Sequence, residues 1–356
     1  MSGLFLGTLA KLTLEAAAMT PWIRSSKSHV AAALVVAALG LGACATPSKS
    51  GQLTVAVIPM GTTDEYWKMV HAGAVQAGRK LGVEIIWQGP IRRDDRTAQI
   101  DVVENLLVRG VSGIVLAPVD NMALRGPVED ARRQGVPTVI IDSDLQSDKF
   151  VSFVATDNVK GGAMAADHLA RLLDGHGKVA ILRNVEGNAS TDHREAGFLD
   201  ALKKYPGLEV VSSNQHAGAT AESAYKASEN LLAKLRTTDG KPGVDGVFCP
   251  NESSAFGMLR ALQDGELAGK IHFIGFDSSK KLLEAVAHSQ VDALVVQNPM
   301  QIAYLGVATL VDHLHKKPIA ARVDVPATLV TKENLNEPAI QELVAPDMKA
   351  LLGESK

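Results

Sequence analysis

Ten short apolar segments alternate with helical stretches between residues 54 and 297, and this alternation limits the fold more than any other feature. The segments are apolar on both faces, as strands of a parallel sheet are when helices cover both sides. Between them, apolar residues recur every three or four positions, as on one face of a helix. Ten strands exceed one comfortable sheet, so the pattern predicts an α/β protein with two doubly wound parallel-sheet lobes, divided near residues 156–158. The predicted strands are Thr54–Pro59, Glu84–Trp87, Gly113–Ala117, Thr138–Asp142, Val151–Thr156, Lys178–Leu182, Glu209–Ser212, Gly246–Pro250, His272–Asp277 and Asp292–Gln297.

The N-terminal region has the pattern of an export signal. Basic residues Arg24 and Lys27 precede the apolar run Val30–Leu41, which is shorter than the roughly 20 residues of a membrane-spanning helix. The run ends in Leu-Gly-Ala-Cys, with the cysteine at Cys44, and this ending resembles the lipobox of bacterial lipoproteins, in which that cysteine is acylated. The pattern therefore predicts a signal peptide at residues 1–43, with lipidation at Cys44.

This interpretation places the protein outside the cytoplasm, attached by lipid to the periplasmic or cell-surface side of a bacterial membrane. Residues 44–52 are expected to form a low-complexity tether. Met19 is a more typical initiator than Met1, because Glu15 adds an acid where signal peptides are basic. The alternative is an ordinary signal peptide with an incidental cysteine.

Composition excludes several classes of partner. The formal net charge is −3 with both signs mixed along the chain, and no basic block suggests nucleic acid. Apart from Cys44 the only cysteine is Cys249, whose apolar neighbours predict a buried thiol and no disulfide. No second apolar segment follows the signal, so membrane contact is expected through the lipid anchor only.

Polar side chains follow the predicted strands, at the edge where open parallel sheets bind ligands. Carboxylates and amides can each contact two adjacent hydroxyls, and aromatic rings pack against the C–H face of a sugar. The set therefore predicts a small neutral sugar or polyol as ligand. In the alternative interpretation, the polar residues cap the following helices and the aromatic residues belong to the core. The candidate ligand-binding residues are Asp64, Tyr66, Trp67, Asp142, Arg194, Asn251, Asp277 and Gln297.

Motifs for other chemistry are missing from the sequence. There is no GxxxxGK[ST] phosphate loop, no GxGxxG after a predicted strand, no HExxH zinc motif and no GxSxG nucleophile motif. We therefore expect a binding protein with no cofactor, no metal and no enzymatic activity. The alternative is a glycosidase in which Asp64 and Asp277 are the acid–base pair.

A set of short segments occurs in an order and spacing typical of one protein family. They are Thr54–Pro59, Asp64–Trp67, Leu107–Ile114, Gly135–Val139, Asp157-Asn158, Arg194–Phe198, Asn251-Glu252, Ile274–Asp277 and Gln297–Pro299. Together they resemble the periplasmic sugar-binding proteins of the ribose- and galactose-binding type, which are solute receptors of ABC importers and share a fold with LacI-type repressor cores. The resemblance covers residues 52–335. A LacI-type regulator would need an N-terminal helix-turn-helix, where this chain has an export signal.

The resemblance implies a role for each candidate residue. Asp64 and Asp142 are implied to bind ring hydroxyls, and Arg194 to donate to the sugar. The aromatic platform of the first lobe is implied to be Tyr66 and Trp67. The remaining pocket residues that the resemblance implies are Asn251, Asp277 and Gln297.

The resemblance also implies how the lobes are built and what they contact. The N-terminal lobe is expected at residues 53–156 plus 298–326, and the C-terminal lobe at residues 157–297 plus 327–345. A three-strand hinge joins them, and the lobes close around the ligand. The implied partner is the permease of an ABC transporter, and the implied oligomeric state is a monomer.

Three positions differ from the ribose receptors of this family. Ser143 replaces an arginine, Ala219 replaces a second aromatic platform, and Ala117 replaces an asparagine. These differences disfavour ribose and favour a bulkier or differently oriented sugar or cyclitol. Asp64 resembles the galactose and glucose branch, but Asn188 and Ser190 do not match its histidine and aspartate. The alternative function is a receptor for another polyol or signal, such as a cyclitol or furanosyl autoinducer, coupled to a chemosensor.

Overall fold

The structure is a computed structural model that describes residues 51–352. The predicted signal peptide and the predicted lipidation site Cys44 lie outside the described residues. The described chain forms twelve strands and eleven helices. The strands are β1 (Thr54–Ile58), β2 (Glu84–Trp87), β3 (Gly113–Leu116), β4 (Thr138–Ile141), β5 (Ser152–Thr156), β6 (His176–Arg183), β7 (Gly207–His216), β8 (Gly246–Phe248), β9 (His272–Phe276), β10 (Ala293–Val296), β11 (Arg322–Val325) and β12 (Thr328–Thr331). The helices are α1 (Glu65–Leu81), α2 (Arg96–Val108), α3 (Arg125–Arg133), α4 (Asn158–Leu172), α5 (Ala189–Leu202), α6 (Ala221–Lys234), α7 (Glu252–Asp264), α8 (Lys280–Ala287), α9 (Pro299–Leu314), α10 (Pro338–Val344) and α11 (Met348–Leu352).

The strands form two six-stranded sheets with matching order. The first sheet has the order β11-β5-β4-β3-β1-β2, and the second has the order β12-β10-β9-β8-β6-β7. All neighbours are parallel except β10 and β12, which are antiparallel. The two halves are therefore versions of one α/β unit, in which β1 corresponds to β6 and β4 to β9. This architecture confirms the predicted fold class.

All ten predicted strands are present, but β11 and β12 were not predicted. Both lie at the edge of a sheet. In β11, Arg322 and Asp324 point away from the core and leave only Val325 fully buried. The prediction relied on runs that are apolar on both faces, and a short edge strand does not need such a run.

Hydrophobic cores fill both lobes. In the second lobe, alternate residues of each strand point to opposite faces, so Val247 and Cys249 pack on one side of the sheet and Phe248 packs on the other. Cys249 is fully buried, as its neighbours predict, and burial raises the pKa of its thiol. In the first lobe, α9 contributes Ile302, Val307 and Leu310 to the core, although it follows the whole of β6–β10 in the chain.

Corresponding helices pack closely at corresponding glycines. A Cβ atom on Gly73 of α1 would lie 2.1 Å from the carbonyl oxygen of Met300 in α9. In the other lobe, a Cβ atom on Gly197 of α5 would lie 2.2 Å from the carbonyl oxygen of Val159 in α4. Each glycine therefore allows the helix after the first strand of its lobe to contact the helix that enters that lobe.

The chain passes between the lobes at three places beside the sheets. It leaves the first sheet after β5, leaves the second sheet after β10, and passes from β11 to β12 through Pro326 and Ala327. The first two passages lead directly into helices whose caps are Asp157 and Asn298. A fourth passage joins α10, which packs in the second lobe, to α11, whose last carbonyl groups accept hydrogen bonds from Arg79 of α1.

Across residues 51–352, none of the helices combines the length and the apolar character that crossing a membrane requires.

Candidate functional site

Two aspartates end corresponding strands of the two lobes. Asp142 follows β4, Asp277 follows β9, and both are buried. Their backbone φ angles are 64° and 67°, in the left-handed region that aspartate tolerates better than most residues. Each backbone N–H still donates to the neighbouring strand. The N–H of Asp142 donates to the carbonyl oxygen of Val154 at 3.0 Å, and the N–H of Asp277 donates to that of Val295 at 2.9 Å. The turn therefore projects a carboxyl group from the end of each sheet.

The aromatic pair of α1 lies beside the first of these carboxyl groups. The Tyr66 hydroxyl donates to Asp142 Oδ1 at 2.5 Å. The Tyr66 and Trp67 rings meet edge to face, with their centroids 5.0 Å apart. Trp67 is 1% exposed, and its indole N–H has no hydrogen-bond partner within the described part of the chain. Trp67 is therefore mainly a core residue, whereas Tyr66 presents a polar atom to the site.

The second carboxyl group has a different set of partners. Gln297 donates through Nε2 to Asp277 Oδ1 at 2.7 Å. The nearest guanidinium nitrogen, Nη1 of Arg194, lies 3.7 Å from Asp277 Oδ2. The other amide atom, Gln297 Oε1, is buried and has no partner among residues 51–352. An acceptor is thus available there for a hydroxyl donor.

Arg194 is held in place from several sides. Its Nε donates to Asn158 Oδ1 at 2.8 Å, and its Nη1 donates to the carbonyl oxygen of Pro250 at 2.9 Å. Its Cζ atom lies 3.8 Å from the centroid of the Phe276 ring, a cation–π geometry. Because the guanidinium is buried and already oriented, little side-chain entropy remains to be lost on binding.

The carboxyl group of Asp142 has an environment that disfavours ionisation. Burial raises its pKa, whereas the guanidinium of Arg194 and the Tyr66 hydroxyl oppose that rise. Burial and the nearby carboxylates of Asp142 and Asp277 also raise the pKa of Tyr66 well above its usual range. The phenol is therefore a hydrogen-bond donor at neutral pH.

Two candidates lie at helix N-termini, and they differ in what their side chains do. Asn251 caps α7: its Oδ1 accepts from the backbone N–H of Ser254 at 3.2 Å. Asn251 therefore acts as a helix cap, as the alternative interpretation of the polar residues after strands predicts. Asp64 occupies the cap position of α1 but makes no cap hydrogen bond, and its Oδ2 lies 3.4 Å from Nη1 of Arg93.

Four residues near this site were not selected from the sequence. Arg93 pairs with Asp64, Asn158 and Phe276 orient Arg194, and Glu252 connects the lobes. Asn158 and Glu252 each stand two residues after the end of a predicted strand, and this position is the signal that could have identified them. With Arg93 and Glu252 included, the site holds four carboxyl groups (Asp64, Asp142, Glu252 and Asp277) and two guanidinium groups (Arg93 and Arg194).

The lobes are in direct contact around the site. From the first lobe, the backbone N–H of Tyr66 donates to Glu252 Oε2 at 3.3 Å, and Glu65 Oε2 accepts from the backbone N–H of Lys280 at 3.2 Å. On the other side of the cleft, the backbone N–H of Ser190 donates to Ser143 Oγ at 3.1 Å. The structure is therefore a closed arrangement of the two lobes.

The three positions that differ from ribose receptors lie in different surroundings. Ser143 belongs to the interlobe contact, and Ala117 is fully buried with its carbonyl oxygen bonded to Gln99. Ala219 lines a cavity of about 290 Å³ at the edge of the cleft, together with Asp64 and Arg93. The small side chain at position 219 thus leaves space beside the first-lobe carboxylate.

The arrangement is suited to binding polar groups rather than to breaking bonds. Its buried charges are paired or hydrogen-bonded within the protein, as buried charges in stable sites are. Donors and acceptors come from both lobes. Within residues 51–352, no group of three or more histidine, cysteine or acidic side chains is arranged to hold a metal ion.

Comparison with known proteins gives one family. The model of the periplasmic binding protein domain matches residues 55–318. The ribose import binding protein of Bacillus subtilis is 32% identical over 293 residues, which are 81% of this chain and 92% of that protein. A carbohydrate transporter solute-binding protein from Agrobacterium radiobacter, solved in complex with D-arabinose, is 35% identical with a TM-score of 0.78, covering 83% of this chain and 99% of that one.

A more distant structure has the same architecture. The ABC transporter solute-binding protein from Bacillus halodurans, solved with bound myo-inositol, is 25% identical with a TM-score of 0.72, covering 82% of this chain and 98% of that one. The family match covers most of the chain, and the residues that it covers include both sheets up to β10 and the site between them. The chain is therefore a binding protein rather than an enzyme, and it belongs to the periplasmic binding protein family.

Proposed function

We propose that this protein is the receptor of an ABC-type sugar importer and binds a neutral monosaccharide between its two lobes. The observation that carries the proposal is the pair Asp142 and Asp277, which face one cleft from corresponding strands with hydrogen-bond donors beside each. Similarity to receptors named for ribose import and solved with D-arabinose supports a sugar as the ligand class.

The proposed contacts divide between the lobes. Asp64, Tyr66 and Asp142 approach the ligand from the first lobe, with Trp67 supporting the Tyr66 ring. Arg194, Asp277 and Gln297 approach from the second lobe, and Asn251 fixes the start of α7 beside them. In the liganded protein, sugar hydroxyls replace some of the present bonds, such as the one from Tyr66 to Asp142. Neither lobe alone has enough partners to replace the water around a sugar, so ligand binding selects the closed arrangement.

The charge of the site favours a neutral ligand. Four carboxyl groups face two guanidinium groups, and each guanidinium already has a carboxylate within 4 Å. A sugar acid or sugar phosphate would find neither guanidinium free to compensate its charge. Neutral hydroxyls, in contrast, can donate to the carboxylates and accept from Arg194.

A cyclitol is the second candidate ligand. Ala219 leaves space beside Asp64 where a larger side chain would narrow the cleft, and a related receptor was solved with myo-inositol. A ring hydroxylated on every carbon would use that space, whereas ribose would leave it unfilled.

We also propose where the protein is located and which partner it has. A lipid on Cys44 would tether the receptor to a bacterial membrane on its outer side, and the monomeric closed form would deliver the ligand to the permease. Replacing Cys44 with serine tests the anchor: we expect the variant to leave the membrane fraction, or to keep its signal peptide. A wild-type protein that is entirely soluble after export would contradict it.

A thermal-shift screen tests the ligand class. Wild-type protein is heated with D-ribose, D-arabinose, D-allose, D-galactose, myo-inositol, D-galacturonate and ribose 5-phosphate in turn. A ligand that binds only the native state raises the melting temperature by mass action, and we expect micromolar affinity or tighter, about −8 kcal/mol, for one of the neutral compounds. A larger shift with the sugar acid or the phosphate would overturn the pocket assignment. Small-angle scattering tests closure separately. If saturating ligand leaves the scattering profile of the protein unchanged, the proposal that the lobes close around the ligand is wrong.

A further inference from the structure

Glu252 is the first residue of α7 in the second lobe, and its side chain reaches the first lobe. Its Oε2 accepts a hydrogen bond from the backbone N–H of Tyr66 at 3.3 Å. Its own backbone N–H donates to Asp277 Oδ2 at 3.3 Å. Glu252 thus connects the start of α1 to the carboxyl group that ends β9, and this contact exists only when the lobes are closed.

Acidic groups from both lobes lie close to Glu252. From α1 and its cap these are Asp64 and Glu65, and from the end of β9 it is Asp277. The two guanidinium groups of the site are engaged elsewhere, since Arg93 pairs with Asp64 and Arg194 lies beside Asp277. Within residues 51–352, no lysine, arginine or histidine forms an ion pair with Glu252.

An ionised Glu252 is unfavourable in this position. Burial, followed by the charges of Asp64 and Asp277, raises the pKa of Glu252 to about 8, and the hydrogen bond from the Tyr66 N–H opposes that rise only in part. A protonated carboxyl group keeps an oxygen that accepts from Tyr66 and removes the repulsion. In an open form, water would surround the same side chain, and its pKa would return towards the usual value of about 4.3.

We propose that Glu252 is a positioning residue that couples closure of the lobes to the uptake of one proton. The inference rests on the proposed function in so far as the ligand binds to the closed form. Protonation favours the closed arrangement, because it neutralises a carboxyl group that otherwise faces Asp64 and Glu65 across the cleft, in addition to Asp277 of its own lobe. The affinity for a neutral ligand therefore rises as the pH falls.

The sign and the size of the effect follow from linkage. The closed form has the higher pKa, so closure takes up a proton at any pH between the two values and takes up none above the higher one. Affinity is expected to change by up to about tenfold per pH unit below pH 8 and to level off above it. Between pH 8 and pH 6, the limit is a change of about 100-fold.

The first arm of the test needs no sugar. Small-angle scattering gives the radius of gyration of the ligand-free protein at pH 6.0, 7.0 and 8.5, for the wild type and for Glu252→Gln. The glutamine keeps an acceptor for the Tyr66 N–H but carries no charge at any pH. We expect the wild type to be more compact at pH 6.0 than at pH 8.5, and the variant to be equally compact throughout. A wild type whose radius does not change, or a variant that changes like the wild type, would overturn the proposal.

The second arm measures affinity with D-arabinose as the probe. Titration calorimetry at the same pH values should show the wild type binding more tightly at lower pH, and Glu252→Gln changing by less than about twofold. Glu65→Gln is the matched control, because Glu65 also accepts an interlobe bond but is exposed to water. This variant should keep the pH dependence, with its midpoint moved slightly to lower pH because one acid near Glu252 is removed. If D-arabinose does not bind, the result counts against the proposed sugar ligand and not against the role of Glu252. The scattering experiment, which uses no sugar, then tests that role by itself.

Discussion

The two lobes present an aspartate at the same point of the same strand order, but they surround it differently. In the first lobe, Asp142 meets the neutral phenol of Tyr66. In the second lobe, Asp277 meets the amide of Gln297 and the guanidinium of Arg194. The strand order and the left-handed turn thus determine where each carboxyl group lies, whereas the neighbouring side chains determine which hydrogen-bond and ion-pair partners it has.

This difference suggests that the two lobes stabilise a ligand in different ways. The second lobe holds a compensated charge pair that is oriented before any ligand arrives, through Asn158, Pro250 and Phe276. The first lobe holds a carboxyl group whose ionisation is opposed by burial. If the proposed site is right, we expect a ligand hydroxyl that donates to Asp142 to stabilise the first lobe more than an equivalent contact stabilises the second.

The largest effect is expected from Arg194→Ala. The substitution removes two hydrogen bonds and leaves Asp277 buried without its cation, which should lower the free energy of unfolding by about 3 kcal/mol. It should also lower ligand affinity by at least about 100-fold. Urea unfolding and titration calorimetry measure the two effects.

Arg322→Ala is the control for Arg194→Ala. Arg322 also lies over a phenylalanine ring, with its Cζ atom 4.9 Å from the centroid of Phe153, but it is exposed at the sheet edge. We expect a change of less than about 0.5 kcal/mol and an unaltered affinity. If Arg322→Ala and Arg194→Ala lower the free energy of unfolding and the ligand affinity equally, Arg194 has no special role in the site.

The next effect compares the two aspartates directly. Asp277→Asn should destabilise the protein by about 1–2 kcal/mol, because Arg194 loses its carboxylate. Asp142→Asn should instead stabilise it by about 1 kcal/mol at pH 7. Since burial raises the pKa of Asp142 in the folded protein, its ionised form weakens folding at neutral pH, and this gain should vanish as the pH falls and the wild-type carboxyl group takes up a proton.

Unfolding curves at pH 7 and pH 4 measure both variants. Asparagine tolerates the left-handed backbone about as well as aspartate does, so the comparison isolates charge. If Asp277→Asn and Asp142→Asn change the free energy of unfolding in the same direction at pH 7, then the two aspartates do not differ in how their surroundings compensate their charge.

The smallest effect is expected from Tyr66→Phe. The variant loses one hydrogen bond to Asp142 and should cost about 1 kcal/mol in unfolding free energy. Tyr225→Phe is the control, because its hydroxyl bonds to Glu229 and Asp264 lie at the surface, and it should cost almost nothing. A larger cost for the surface tyrosine would contradict the importance of the buried pair.

The sequence was sufficient for the fold because buried parallel strands are apolar on both faces. The strand β3 and its counterpart β8 have no exposed residue and are visible as short apolar runs. The edge strand β11 has no such run, since one side of it faces water. The end-of-strand rule also brought out Asp142 and Asp277 as candidates, whereas Arg194 was a candidate in the segment that follows Leu182 and lies within α5.

The remaining features of the site depend on contacts between distant segments. Glu252 acquires its environment only when α1 of the other lobe approaches, and no local pattern indicates that contact. Asn251 illustrates the opposite limit. A polar residue after a strand and before a helix is equally typical of a cap and of a binding residue, and its side chain caps α7.

The repeated passage of the chain between the lobes has a consequence for the order of folding. The first lobe begins with β1 but needs α9 to fill its core, where Gly73 contacts the start of that helix. All strands of the second sheet except β12 precede α9 in the chain. A growing polypeptide therefore holds an unfinished first lobe while most of the second emerges, and the lobe that is started first is completed late. Contacts so distant in sequence form slowly, because a long loop must close before they stabilise anything. A fragment that ends before α9 should thus expose the apolar face of α1 and aggregate, rather than fold as half of the protein.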